Sequence, residues 1–245
     1  MLGELVSAPD TDPASLALPY LRTGFLERLA HELRGPVGVT SGALDEIELA
    51  VDASPEAVQA YFLMARRGMR RVLRLAERLQ RTAQLEGGVV EWAMTPMDLR
   101  ALAEQAAKDV ELLEARRSVR VDVTCSEEAC PVAVDAPWMQ FAIGDLVGNA
   151  IRFARSAVSV RCAASADEVT VTISDDGSGF KGLPGQRFEP PVERRGVGLT
   201  LPLVRDVVAA HGGRLDLDGP RDPGALASSG AIVVLTLPRS AMSQG

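Results

Sequence analysis

Only two residues of the chain are histidines, His31 and His211. His31 precedes Glu32 within Phe25-Leu-Glu-Arg-Leu-Ala-His31-Glu32-Leu33-Arg34-Gly35-Pro36, a stretch with helical apolar spacing. A rare titratable ring there could serve as a nucleophile. The plainer alternative is a surface histidine on a helix. Pro36 tilts the balance toward chemistry, because inside a helix it removes the backbone hydrogen bond to the carbonyl of Glu32 and kinks the backbone beside the ring. Such a defect costs about 3 kcal/mol.

Patches in the second half have chemistry that suits a nucleotide. In Asp145-Leu-Val-Gly-Asn149-Ala-Ile-Arg152-Phe153, steps of four and three put Asp145, Asn149 and Arg152 on one helix face. A carboxamide oxygen, a carboxylate and a guanidinium are what Mg²⁺ and a phosphate chain require together. A polar face in water is the alternative. Ile173-Ser174-Asp175-Asp176-Gly177-Ser178-Gly179-Phe180 ends a strand with an acidic pair and two glycines. A carboxylate there can accept a hydrogen bond from an exocyclic amine such as that of adenine, and glycines let the backbone approach a flat ring. Gly196-Val-Gly198-Leu199 opens a helix, where free amides favour phosphate. Between these glycine patches, Lys181 to Arg195 reads as a mobile loop of the kind that closes over a ligand.

The elements that must position these groups fall into two textures. Leu26, Ala30, Leu33, Val37, Thr40, Leu44, Ile47 and Val51 step by four and three, the seam of a bundled helix from about Tyr20 to Val51, with His31 one position off it and facing water. Ser54-Pro55-Glu56 starts a second helix, with the seam Val58, Phe62, Ala65, Met69, Val72, Ala76, Leu79 and Ala83. A hairpin alone cannot bury both seams, so two chains are expected to pair as a homodimeric four-helix bundle. Gly35, Gly38 and Gly42 loosen the first helix around Pro36.

After Gly87-Gly88 the pattern becomes mixed. It predicts strands at Val89 to Met94, Val119 to Thr124, Ala157 to Ala163, Val169 to Ser174, Arg214 to Leu217 and Ala231 to Leu237. Helices are predicted at Asp98 to Glu114, Pro137 to Ala154 and Val197 to Ala210, with Asp98 as a cap. The sum is an α+β chain: the hairpin, then an α/β sandwich with one mixed sheet and helices on one face.

Composition excludes several classes. A net charge of −7 argues against nucleic-acid binding, although Arg66, Arg67, Arg70, Arg71, Arg74, Arg78 and Arg81 crowd one segment. That run reads as a solvated face or as a docking surface for an acidic partner or phosphates. No apolar window is long enough to span a membrane and the start lacks a secretory signal, so the expected location is the cytoplasm. Cys125, Cys130 and Cys162, odd in number and without metal-ligand spacing, fit thiols of a reducing compartment.

The order and spacing of these motifs resemble the histidine protein kinases of two-component signalling. His31-Glu-Leu-Arg-Gly-Pro36 is similar to their phosphoacceptor box, and Asn149 sits in what resembles the asparagine box. Asp175-Asp-Gly177-Ser-Gly179 resembles the first glycine box, Phe188-Glu189-Pro190 the phenylalanine box of the lid, and Gly196-Val-Gly198-Leu the second glycine box. His211-Gly212-Gly213 matches the turn after the following helix. The resemblance covers about residues 20 to 240. It implies a lead-in over 1–19, a dimerisation and phosphoacceptor domain over 20–88, a Bergerat-type ATP-binding domain of the gyrase, chaperone and MutL kind over 89–240, and a tail over 241–245.

By that resemblance ATP gives its γ-phosphoryl group to His31, with Glu32 accepting or orienting the proton on the other ring nitrogen. Asp175 holds the adenine amine, Asn149 the Mg²⁺ and Arg152 the phosphates, while Gly196 and Gly198 line the triphosphate. Asp145, Phe153, Gly177, Gly179 and Leu199 complete the implied cofactor-binding set. The phosphoryl group then passes to an aspartate of a response regulator, and the stimulus arrives through an upstream sensor protein or the amino terminus. Two departures stand out. Gly35 replaces the usual Thr or Asn four residues after the histidine, implying weak phosphatase activity, and Asp176 replaces a common Asn, implying extra charge near the base. A scaffold or phosphotransfer protein with a degenerate ATP domain, and a serine kinase acting on an anti-sigma antagonist, are the competing readings.

Overall fold

The computed structural model describes residues 25–49, 54–114, 119–125, 130–180, 200–217 and 230–240. In chain order these form α1 (Phe25–Leu49), α2 (Pro55–Glu86), β1 (Thr95–Asp98), α3 (Leu99–Glu114), β2 (Arg120–Cys125), β3 (Pro131–Val134), α4 (Ala136–Phe153), β4 (Ala157–Ala164), β5 (Glu168–Asp175), α5 (Thr200–Ala210), β6 (Arg214–Leu217) and β7 (Ile232–Pro238). The chain divides into two compact units, Met1–Val72 and Leu73–Gly245. The division falls inside α2.

In the first unit, α1 keeps Pro36 inside a continuous helix, and Ser54 starts α2 through its carbonyl and hydroxyl on the Ala57 amide. The two helices touch where Gly68 has no side chain: a Cβ there would collide with Thr40 Oγ1 and the Pro36 carbonyl. Thr40 Oγ1 donates to Pro36 O at 2.8 Å and lies 3.4 Å from Ala65 O, so it spans the contact. Ala43 and Ala65 are buried beside it. Much of the apolar surface stays uncovered, with Val37 at 50%, Leu44 at 46%, Phe62 at 51% and Met69 at 49% exposure.

The second unit has a five-stranded mixed sheet in the order β2-β4-β5-β7-β6, in which only β2 and β4 run parallel. Along β5, Val169, Val171 and Ile173 are buried while Thr170 and Thr172 are half-exposed, the alternation of a strand with one face on a core. That core is completed by α3, α4 and α5. Asp98 caps α3 by accepting from the Arg100 amide at 3.0 Å, and Asp135 caps α4 by accepting from Trp138 N at 3.3 Å. Met139, Ile143 and Val147 of α4 are fully buried, each stabilising the fold by about 1.5–3 kcal/mol.

A separate two-stranded ribbon, β1 with β3, corrects the sequence reading, which put a strand at Val89 to Met94. Pro96 and Pro131 disguise both short strands as turn sequence. Residues 89–94 are held by packing instead of a ladder: the Trp92 ring lies 5.4 Å from that of Trp138 and 5.0 Å from that of His211, and Ala93 N donates to Asp135 Oδ2 at 3.0 Å. The α5 reading from Val197 is described only from Thr200 onward.

Candidate functional site

Asp175 is the last residue of β5, where its sheet neighbours are Val158 and the residues just before β7. Its carboxylate is buried, and Oδ1 accepts from Gly177 N at 2.8 Å and from Ala231 N at 3.4 Å. Among the described residues Oδ2 accepts no hydrogen bond, which leaves it to a ligand. Burial raises the carboxyl above its ordinary range, the two amide bonds oppose this, and the Asp176 charge adds to the rise.

Glycines are required around this carboxylate. A Cβ on Gly177 would run into the Phe153 carbonyl and come within 2.6 Å of Asp175 Oδ1. The close approach joins the end of α4 to the end of β5. Gly179 has φ 70°, in the left-handed region. Gly230, which no motif in the sequence singles out, lies against the backbone of Asp175 so closely that a Cβ would overlap its carbonyl.

Asp176 points the other way. Its Oδ1 accepts from Arg155 N at 2.8 Å and Ser156 N at 3.0 Å, and Oδ2 accepts from Ser156 Oγ at 2.6 Å. Burial alone would raise this carboxyl, but the hydrogen bonds outweigh it and hold it well below the ordinary range. The extra charge expected near a base is thus spent on the turn from α4 into β4, and it reaches the site only as a field at Asp175.

Along α4 the three polar residues differ in burial and in partners. Asn149 is half-buried, and among the described residues its carboxamide makes no hydrogen bond, so it fits a divalent-cation ligand. Arg152 and Phe153 are exposed, the guanidinium 5.7 Å from the ring centre. Asp145 is buried and engaged: Arg78 of α2 grips it through Nε at 2.6 Å and Nη2 at 2.8 Å. No cluster of three His, Cys, Asp or Glu with metal-binding geometry occurs among the described residues. A cation here would need phosphate oxygens beside Asn149.

Arg78 and Arg81 leave the solvated face that their spacing suggested. Arg81 lies over two rings, 4.6 Å from the centre of Trp138 and 4.3 Å from that of Phe141, and bonds Glu77 at 3.0 Å. Only an aromatic pair three residues apart on another helix reveals this, and that pairing is nonlocal. His211, the second histidine, is buried. Its Nε2 accepts from Asp135 N at 3.0 Å, which places the proton on Nδ1, and this proton is donated to Val207 O at 2.7 Å. Gly212 (φ 71°) completes the turn, and Gly213 N donates to Val208 O.

In the other unit His31 is exposed on α1 and Glu32 is half-buried. Gly196, Gly198, Leu199 and Phe188-Glu189-Pro190 lie outside the described residues.

Residues 134–241 match the family described as "Histidine kinase-, DNA gyrase B-, and HSP90-like ATPase". The chain is similar to "Hybrid signal transduction histidine kinase D" of Dictyostelium discoideum, 26% identical over 90% of this chain and 15% of that one. It is similar also to "Sensor histidine kinase MtrB" of Mycolicibacterium paratuberculosis, 29% identical over 89% of this chain and 39% of that one. The chain therefore spans well under half the length of these relatives. The solved structure of ShkA in complex with AMPPNP shares the fold, with a TM-score of 0.59 at 22% identity over 88% of this chain and 46% of that one. The resemblance to two-component histidine kinases read from the motifs is borne out. No helix among the described residues is long and apolar enough to cross a membrane.

Proposed function

We propose that this chain is the kinase portion of an ATP-dependent protein histidine kinase, which phosphorylates itself on His31 and passes the phosphoryl group to an aspartate of a response-regulator receiver domain. The observation that carries the reading is the half-engaged carboxylate of Asp175, fixed on one oxygen by Gly177 and Ala231 and open on the other. That arrangement fits the amine of a purine. Asn149 would hold Mg²⁺, which supplies charge neutralisation for the phosphates, and Arg152, exposed on the next turn of α4, would meet the phosphate chain.

His31 is accessible on α1, and Glu32 beside it would take or orient the proton on the other ring nitrogen. Gly35 offers no side chain to position water, so phosphatase activity toward the regulator is weak. The half-exposed seam residues Val37, Leu44, Phe62 and Met69 support a second copy closing the hairpin into a four-helix bundle. The remaining arginines of α2 offer a contact for the regulator, an upstream protein supplies the signal, and ATP supply places the module in the cytoplasm.

The test is incubation of the purified chain with γ-labelled ATP and Mg²⁺. Acid-labile label, lost in His31→Gln and in Asp175→Asn, is the expected result. An unlabelled chain, or acid-stable label on an added substrate, overturns the reading.

A further inference from the structure

Two of the three cysteines of the chain, Cys125 and Cys162, meet on the five-stranded sheet, although nothing in the proposed phosphoryl chemistry uses them. β2 and β4 run parallel in register, and Cys125 and Cys162 are direct partners across that pair. The Cys162 thiol is hydrogen-bonded with Cys125, and Cys130 lies within electrostatic reach of Cys162. In-register neighbours project to the same face from strands about 4.8 Å apart, inside the span of about 4.4–6.8 Å between Cα atoms that a disulfide bridges. Cys125 is the last residue of β2, an edge strand, and its pairing with Cys162 is the last described position of the β2–β4 ladder.

The two thiols are unequal. Cys125 is partly exposed whereas Cys162 is buried. Burial, then the bond with Cys125, pushes the Cys162 thiol well up, so it stays protonated. The cysteines do not have the geometry to hold a metal ion among the described residues. Cys162 pairs with Val171, four residues before Asp175 along β5 and thus about 13 Å from the nucleotide end.

We propose that Cys125 and Cys162 are a redox-responsive dithiol that a peroxide converts to a disulfide joining β2 to β4. The Cys125 thiol loses its proton and its sulfur attacks one peroxide oxygen; the O–O bond breaks, Cys125 becomes a sulfenic acid, and the departing hydroxide takes up the proton that Cys125 released as the first water. The Cys162 sulfur then attacks the Cys125 sulfur, and the displaced hydroxide takes the Cys162 proton as the second water. Two thiols have lost two electrons and two protons, and the peroxide has been reduced to two waters. A small-molecule dithiol reverses the change by becoming a disulfide itself. The inference stands apart from the kinase reading and does not need it.

The experiment treats the full reduced chain with a slight molar excess of hydrogen peroxide, quenches it, alkylates under denaturing conditions and maps peptides by mass. The expected product is a Cys125–Cys162 cross-link two hydrogens lighter than the separate peptides and abolished by dithiothreitol. It persists in Cys130→Ser. In Cys162→Ser it gives way to a sulfenic acid on Cys125 that dimedone traps. Before oxidation, Cys125 of the folded chain alkylates at least about tenfold faster than Cys162. Over-oxidised Cys125 with Cys162 still alkylatable, a cross-link through Cys130, or cross-links only between chains would each overturn the proposal. The wild-type map decides this even where the buried Cys162 variant fails to fold.

Discussion

Arg78 meets Asp145 as a two-point ion pair, Nε on Oδ2 at 2.6 Å and Nη2 on Oδ1 at 2.8 Å, with the carboxylate side chain 8% exposed and the guanidinium 21%. Two parallel bonds fix direction as well as distance, so the last turns of α2 are keyed to α4 at one residue. Removing one partner strands a charge in a dry place. Arg78→Ala should lower the stability of the second unit by about 1–3 kcal/mol, the partial exposure of the arginine discounting the larger cost of a fully buried pair. In urea unfolding, the Arg78→Met, Asp145→Met double variant should recover most of the loss. Additive single losses would show that the pair is not coupled.

Gly177 leaves no room for a methyl group between the Phe153 carbonyl and the Asp175 carboxylate. Gly177→Ala should therefore push the end of α4 away from β5 and weaken ATP binding by at least about tenfold, with a stability cost of about 1–3 kcal/mol. Calorimetric titration with a nonhydrolysable ATP analogue checks this. Unaltered affinity would mean that the contact does not shape the site.

The raised carboxyl of Asp175 sets a pH dependence. An amine donor requires the ionised form, so nucleotide affinity should be full at neutral pH. It should fall as pH drops through a value above the ordinary carboxylate range near 3.9. The folding contribution has the opposite sign: a raised carboxyl favours the fold at pH below 3.9 and loses that contribution as pH climbs through the folded-state value. Asp175→Asn should flatten both trends in affinity and stability measured from pH 4 to 7.

Asp176 has the reverse sign, because its hydrogen bonds to Ser156 and Arg155 hold it low. Its contribution to stability is present above the unfolded value of about 3.9 and is lost as pH falls toward the depressed folded value. The stability gap between wild type and Asp176→Ala should be widest at pH 7 and narrow steadily below about pH 4. Paired urea melts at the two pH values measure it, and a gap independent of pH would remove the carboxylate from the account.

What the sequence made legible follows from locality. The α2 start at Ser54-Pro55, the cap at Asp98, the alternation of β5 and the Asp175-Gly177 turn all rest on neighbours a few residues apart, and each is where the pattern put it. The β1–β3 ribbon was hidden because Pro96 and Pro131 break the strand signal, and its pairing spans some forty residues. Arg78 and Arg81 looked like solvent-facing charge because their partners, Asp145, Trp138 and Phe141, lie on another helix. Gly230 carried no mark at all beyond its residue type, since its constraint is the backbone of Asp175.

His211 is sealed on every side that chemistry would use: one ring nitrogen receives an amide proton, the other gives its own to a carbonyl, and an indole covers an edge. A chain with two imidazoles thus presents one address for modification. Any phosphohistidine found on it can be traced without ambiguity, and a mass spectrum that located the group on the second ring would mean that the turn behind α5 had come apart.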